Sequence, residues 1–125
     1  MNGRDWLLPA LLACAAAGLF HHIHNAQFID HYPNMPGSLS APMVHAAWIG
    51  ATAIGFIGYF ALRAGYRRLG VGLLALYGLY GLDALGHYAL APIGAHSTAM
   101  NASIWLEAAT AAALLVLLGL RPRRN

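Results

Sequence analysis

The sequence predicts an all-α integral membrane protein, a bundle of four transmembrane helices with both termini in the cytoplasm. Of its 125 residues, 59% are hydrophobic and only 9% are charged, whereas about a quarter of the residues in soluble domains are charged. Four apolar segments are each long enough to cross a bilayer, which takes about 20 residues. Arginines and histidines gather at opposite ends of these segments. Together the three observations indicate a multi-pass membrane protein.

The four predicted spans belong to a single domain, residues 1–125, and each begins or ends at a residue that suits a helix terminus. Pro42 stands in the first turn of the second span, where a proline loses no hydrogen bond. Pro92 follows the third span and discourages its continuation. Ser97 or Thr98 can cap the fourth span. We therefore expect spans at about residues 6–24, 42–62, 69–91 and 98–120.

The arginines predict how the spans are oriented. They precede the first span, join the second to the third and follow the fourth: Arg4, Arg63, Arg67, Arg68, Arg121, Arg123 and Arg124. Arginine-rich connections stay in the cytoplasm. The other end of the bundle carries all the histidines: His21, His22, His24, His31, His45, His87 and His96. We expect a bacterial inner-membrane protein whose histidine end faces the periplasm or the exterior.

Four of these histidines are candidate metal ligands. His21 and His24, three residues apart, lie near the outer end of the first span, and this spacing puts them on nearly the same helix face. His45 and His87 each lie about one turn inside the outer end of their spans, as judged from the helical rise. Neutral imidazole binds zinc, iron and copper. The pattern predicts a transition-metal site with His21, His24, His45 and His87 as ligands.

Two carboxylates within the spans, Asp83 and Glu107, are candidate catalytic residues. Ionisable groups at membrane depth are costly and usually mark a functional site. Asp83 precedes His87 by four residues, so both side chains point the same way along the third span. Tyr80, Asn101 and Trp105 are expected to surround the site and to orient its ligands. His22, His31 and His96 are expected at its rim.

Four functions fit this pattern. The first is a metal-binding membrane protein, either an enzyme on a lipid-soluble substrate or a metal-handling protein. The second is a metal-free acid–base enzyme, an isomerase, cyclase or hydrolase, that acts on a lipid, sterol or isoprenoid. The third is a b-type haem protein with His45 and His87 as axial ligands. The fourth is an accessory membrane subunit or a pH-responsive channel.

Composition excludes several other functions. The chain has no lysine, which excludes Schiff-base chemistry such as a retinal linkage. Its single cysteine, Cys14, excludes an intrachain disulfide, and there is no Cys-x-x-Cys-His motif for covalent haem. The arginines form no basic face, so no nucleic-acid partner is expected. The expected partners are the bilayer, a hydrophobic small molecule and a second copy packed on small-residue faces such as Ala47, Ala51 and Gly55.

Overall fold

A computed structural model describes residues 6–121, and this part of the chain is helical with connecting turns and no strand. Its helices are α1 (Leu7–Gln27), α2 (Ala41–Arg63), α3 (Arg67–Leu82), α4 (His87–Leu90) and α5 (Thr98–Gly119). Four segments are long and apolar enough to cross a membrane: α1, α2, the run Arg67–Leu90 and α5. The expected set of four apolar, membrane-length helices is thereby confirmed. Arg4, Arg123 and Arg124 lie outside the described residues.

The third membrane-length segment is not one continuous α-helix. A 3-10 turn at Asp83–Gly86 separates α3 from α4, whereas the sequence predicted a single helix over residues 69–91. Gly81 lies two residues before this turn, and Gly86 is its last residue. Glycine is the weakest helix former after proline. Short 3-10 stretches inside a helix often occur at functional positions. Here the turn carries Asp83 and is followed at once by His87.

The long helices form a ring in which each contacts its neighbours in the chain, and α1 also packs on α5. The apolar core fills the arginine end of this ring, where fully buried side chains include Leu11, Leu74 and Leu114. Buried polar residues concentrate at the opposite end, among them His21, His87 and Glu107. The helices therefore divide into an apolar half that holds the bundle together and a polar half that contains the candidate site.

Glycines set the separation between α2 and α3. A Cβ atom placed on Gly58 would lie 2.8 Å from Cβ of Leu73, and one on Gly70 would lie 2.6 Å from the backbone nitrogen of Leu62. The two helices are thus in near-backbone contact at the arginine end, as small residues permit. A Cβ on Gly50, nearer the histidine end of α2, would meet nothing within 4 Å. Part of the small-residue surface is therefore used within the chain, and self-association stays a prediction.

The two connections at the histidine end are held by side-chain hydrogen bonds. Asn34 adopts a left-handed backbone (φ 58°), and its Nδ2 donates to the carbonyl of Leu90 at 2.9 Å. This bond ties the α1–α2 connection to the end of α4. In the other connection, Ser97 caps α5 as expected, its Oγ accepting from the backbone nitrogen of Met100 at 3.2 Å. Both connections are consequently fixed against the helix ends.

Candidate functional site

A cavity of about 250 Å³ opens among α1, α2, the end of α3 and the α1–α2 connection. One wall is apolar and is formed by Met35, Leu39, Met43, Val44 and Ala47. The other side is polar and carries His21, His22, Asn25, Tyr80, Asp83, His87 and Glu107. Pockets with apolar walls and a few convergent polar groups are typical binding sites for small molecules. This cavity is the candidate functional site.

Glu107 lies at the polar side of the cavity between two histidines. Its side chain is 4% exposed. Oε2 lies 3.8 Å from Nε2 of His21, and Oε1 lies 3.8 Å from Nδ1 of His22. Within residues 6–121, Oε2 has no hydrogen-bond partner. A buried carboxyl group with an unsatisfied oxygen is costly. Glu107 is therefore a candidate functional residue of this cavity.

The hydrogen bonds of His21 assign its ring nitrogens. Oγ of Ser103 donates to the carbonyl of Met100 at 2.9 Å and therefore accepts from Nδ1 of His21, which lies 2.9 Å away. In neutral imidazole one nitrogen carries the proton and the other a lone pair. Nε2 of His21 thus presents a lone pair towards the cavity.

His22 is assigned in the same way. Its Nδ1 lies 2.7 Å from the carbonyl of Gly18, which can only accept, so Nδ1 is the donor. Its Nε2 accepts from the hydroxyl of Tyr80 at 2.8 Å. Both nitrogens of neutral His22 are consequently satisfied, and Tyr80 is held with its hydroxyl at the cavity. His22 lies in the cavity wall rather than at the rim where the sequence placed it.

His87 has two neighbours competing for one nitrogen. Its Nε2 lies 3.2 Å from Nε2 of His21 and 3.3 Å from Nδ2 of Asn25. Nε2 can donate to the lone pair of His21 or accept from Asn25, but it cannot do both. Nδ1 of His87 is buried, with no hydrogen-bond partner among the described residues. Either tautomer of His87 therefore leaves one of its two neighbours, His21 or Asn25, without a hydrogen bond to Nε2.

Tyr32 covers this pair from the α1–α2 connection. Its side chain is 3% exposed, and its ring centroid lies 5.0 Å from that of His87 and 6.3 Å from that of His21. Its hydroxyl lies 2.9 Å from Nδ1 of His24. Burial raises the pKa of Tyr32, so its hydroxyl stays protonated. The α1–α2 connection thereby covers the histidine pair at the histidine end of the bundle.

The structure brings together five of the residues singled out from the sequence and leaves others apart. His21, Tyr80, Asp83, His87 and Glu107 all line the cavity.

The structure does not bring His24 and His45 to the cavity. His24 is half-buried beside Tyr32, and His45 is exposed on α2. The expected ligand set of His21, His24, His45 and His87 therefore differs from the observed grouping, which joins His21 and His87 with His22. Asn25, four residues after His21, points towards these histidines. His24, three residues after His21, turns instead towards the α1–α2 connection.

Asn101 and Trp105 also lie away from the cavity. Asn101 accepts from the hydroxyl of Tyr88 at 2.7 Å and donates to the carbonyl of Ile93 at 3.2 Å, so it holds the α4–α5 connection. Trp105 is 50% exposed and packs near Tyr88. Neither contact orients a cavity residue, contrary to the sequence-based expectation for both.

Asn25 and Ser103 are cavity-side residues that the sequence reasoning missed. Both carried a usable signal, because Asn25 follows His21 by four residues and Ser103 precedes Glu107 by four. Residues four apart share a helix face. The face of α5 that enters the bundle is thus the Ser103–Glu107 face rather than the Asn101–Trp105 face.

Two cofactors were expected from the sequence, a transition-metal ion and, as an alternative, a b-type haem. Across residues 6–121, no group of three or more His, Cys, Asp or Glu side chains is arranged to hold a metal ion. The haem ligands considered from sequence, His45 and His87, differ in burial, the first exposed and the second buried. This arrangement gives no support to a haem bound between them.

Comparison of the chain with protein-family models, with curated proteins and with solved structures gave no match.

Proposed function

We propose that this protein is a membrane enzyme that isomerises a lipid-soluble molecule by acid–base catalysis. The observation that carries the proposal is the position of Glu107, buried at the polar side of an apolar-walled cavity, with an unsatisfied oxygen and a histidine on either side. Buried carboxyl groups beside histidines in such cavities are characteristic of general acids and bases.

The proposed proton transfers follow from which nitrogen of His21 carries a proton and which carries a lone pair. The carboxyl group of Glu107 donates a proton to one atom of the substrate, and the lone pair on Nε2 of His21 accepts a proton from another. The substrate gains and loses one proton and keeps its composition, so no oxidant or co-reactant is needed. Between turnovers, His21 releases its proton to solvent, and Oε2 of Glu107, 3.8 Å away, takes one up from solvent. Nε2 of His87, 3.2 Å from Nε2 of His21, accepts a hydrogen bond from the protonated imidazole, while Nδ1 of His87 carries the proton of that ring.

The test compares products formed by purified protein in vesicles. The probe is a lipid extract from the organism that encodes the chain. We expect one lipophilic species to change its chromatographic retention at constant mass. The reaction should be lost in Glu107→Gln, which keeps the size of the side chain, and retained in Asp30→Asn, which alters an exposed carboxylate of the α1–α2 connection. A species converted equally by wild type and Glu107→Gln would contradict the proposal.

Metal binding is a second candidate, favoured by the distance between the two imidazoles. Tetrahedral zinc with metal–nitrogen bonds of about 2.0–2.1 Å places ligand nitrogens roughly 3.3 Å apart, and Nε2 of His21 and His87 are 3.2 Å apart. Oε2 of Glu107 would have to approach from 3.8 Å to complete a two-histidine, one-carboxylate set, a set that also suits iron. The candidate ions remain zinc, iron and copper.

Elemental analysis of detergent-purified protein separates the two candidates. Metal near one ion per chain in wild type and in His31→Ala, but lost in His87→Ala, would favour the metal site. Wild type that isomerises its substrate after chelator treatment, without metal, would favour acid–base catalysis.

We also propose that the cavity lies at the periplasmic or exterior side of a bacterial inner membrane. Support comes from Arg63 and Arg67, which flank the α2–α3 connection at the end of the bundle opposite the cavity. A reporter fused to the C-terminus should behave as cytoplasmic. Periplasmic activity of that reporter would reverse the assignment.

A further inference from the structure

We propose that the substrate is an uncharged amphiphile, with a single hydroxyl or carbonyl group, that enters the cavity sideways from the bilayer between α2 and α3. The inference rests on the proposed function for its choice of cavity. It adds the route by which a molecule reaches Glu107 and the chemical class that fits.

The first support is the location of the cavity mouth. Among the lining residues, Met43 and Ala47 of α2 and Asp83 after α3 are exposed, whereas His21, His87 and Glu107 are buried. The mouth therefore lies between α2 and the end of α3. Ala47 is six residues inside the start of α2 and Asp83 seven residues inside Leu90. At a rise of about 1.5 Å per residue, both lie roughly 10 Å below the helix ends, at hydrocarbon depth.

The second support is that the other approaches are covered. Tyr32 packs on His21 and His87, and Asn34 fixes the connection to the carbonyl of Leu90. On the membrane side, α2 and α3 meet closely at Gly58 and Gly70. The helices are thus joined at the arginine end, and the cavity opens nearer the histidine end.

The third support is the chemistry of the lining. Among residues 6–121, the acidic groups that line the cavity are Asp83 and Glu107, and no arginine of this range lines it. An anionic head group would meet two carboxyl groups with no cation to balance it. The hydroxyl of Tyr80, the amide of Asn25 and the histidine nitrogens both donate and accept. This set matches a neutral hydroxyl or carbonyl group.

The size of the cavity limits the part of the molecule that fits inside. A volume of 250 Å³ equals about eight water molecules at roughly 30 Å³ each, enough for a polar head and roughly seven carbon atoms. Met35, Leu39 and Met43 line the apolar side, where a hydrocarbon chain packs. A longer chain extends through the mouth into the bilayer.

Photolabelling tests the proposal directly. The probe is a seven-carbon alcohol with a diazirine near its apolar end, compared with the matched carboxylic acid and the matched hydrocarbon, each in vesicles containing the purified protein. Labelled residues are mapped by peptide mass spectrometry. We expect the alcohol to label Met35, Leu39 and Met43, and excess unlabelled alcohol to reduce this labelling at least five-fold. The acid and the hydrocarbon should give only labelling that does not saturate.

Two substitutions on α2 test the route. Ala47→Trp fills the mouth and should reduce saturable labelling at least five-fold, whereas Ala46→Trp, the same change at the neighbouring exposed residue, should leave it unchanged. Unfolding temperatures of both variants verify that the bundle is intact. Equal labelling of the two variants, saturable labelling by the acid, or labelling by the hydrocarbon as strong as by the alcohol would overturn the proposal.

The same experiment separates this inference from the proposed reaction. Glu107→Gln retains hydrogen-bonding atoms and should keep saturable labelling by the alcohol. If binding persists in wild type and no isomerisation is found, the acid–base function fails and the substrate class stands. If isomerisation is found without saturable binding of the alcohol, the substrate class fails and the acid–base function stands.

Discussion

Nδ1 of His21 lies 2.9 Å from Oγ of Ser103, and this contact is the basis for assigning the proton to Nδ1 and the lone pair to Nε2, the nitrogen beside Glu107 and His87. Ser103 can accept because its own proton is committed to the carbonyl of Met100. Nε2 of His21 is left with a lone pair beside Glu107 and His87. A hydroxyl on α5 thereby sets the proton-accepting atom of a histidine on α1.

Ser103→Ala should remove the hydrogen bond that fixes the tautomer of His21. Without the acceptor, His21 gains access to both tautomers, and we expect the proposed isomerisation to slow by about 10–100-fold, as is typical when the partner orienting a functional histidine is removed. Nitrogen-15 NMR of the imidazole reports which nitrogen carries the proton. Thr110→Ala is the control, because the Thr110 hydroxyl donates to the carbonyl of Leu106, two turns along the same helix. An unchanged tautomer in Ser103→Ala would contradict the assignment.

His87→Ala and His45→Ala should differ sharply. His87 is 8% exposed and contacts His21, so its loss should reduce isomerisation by about 100-fold or more, the range for groups that assist proton transfer. His45 is exposed on α2 and does not line the cavity, so its loss should leave the rate unchanged. Product formation in vesicles measures both. Equal losses of product formation in the two variants would show that His45 belongs to the site.

The fold was largely predictable because bilayer length and apolar composition leave few alternatives. The four apolar segments lie within a few residues of their expected positions, and Ser97 caps α5 as its chemistry predicted. The 3-10 turn at Asp83–Gly86 was not predicted. Hydropathy reports that a segment is apolar, and it does not report a local change of helix type within that segment.

The site was predictable only in part, because depth along a helix is easier to infer than rotation about it. His21, Asp83, His87 and Glu107 were recognised from their depth, and all four line the cavity. His45 has a similar depth but faces outward. Which face of a helix enters the bundle depends on contacts with other helices, and in a membrane both faces are apolar. The spacing of Ser103 and Glu107 was the missed signal on α5.

Asn34→Ala should loosen the connection that covers the histidine pair. Asn34 has φ 58°, a conformation that costs most residues about 1–2 kcal/mol, and the substitution also removes the bond to the Leu90 carbonyl. We expect faster hydrogen exchange of the backbone amides in residues 28–40. Ser38→Ala, at an exposed position in the same connection, is the control. Identical exchange in the two variants would show that Asn34 does not hold the connection.

Gly58→Ala should destabilise the contact between α2 and α3. The added Cβ would lie 2.8 Å from Cβ of Leu73 and 3.0 Å from the backbone nitrogen of Leu74, and overpacking of this kind costs about 1–3 kcal/mol. Gly50→Ala is the matched change on the same helix, with nothing within 4 Å, and should leave the free energy of unfolding unchanged or slightly raised. Detergent-based unfolding measures both. Equal stability of the two variants would mean that the helices are not in close contact at Gly58.

The measurement that tests the central claim most directly is deuterium incorporation from solvent by the protein in vesicles, with the same lipid extract in heavy water. If Glu107 exchanges a proton between solvent and substrate, wild type and Asp30→Asn should each yield a lipophilic product one mass unit heavier. Glu107→Gln should yield at least 100-fold less, in line with the loss of a general acid. Equal labelling by Glu107→Gln, or no labelling above protein-free vesicles by wild type, would contradict the account.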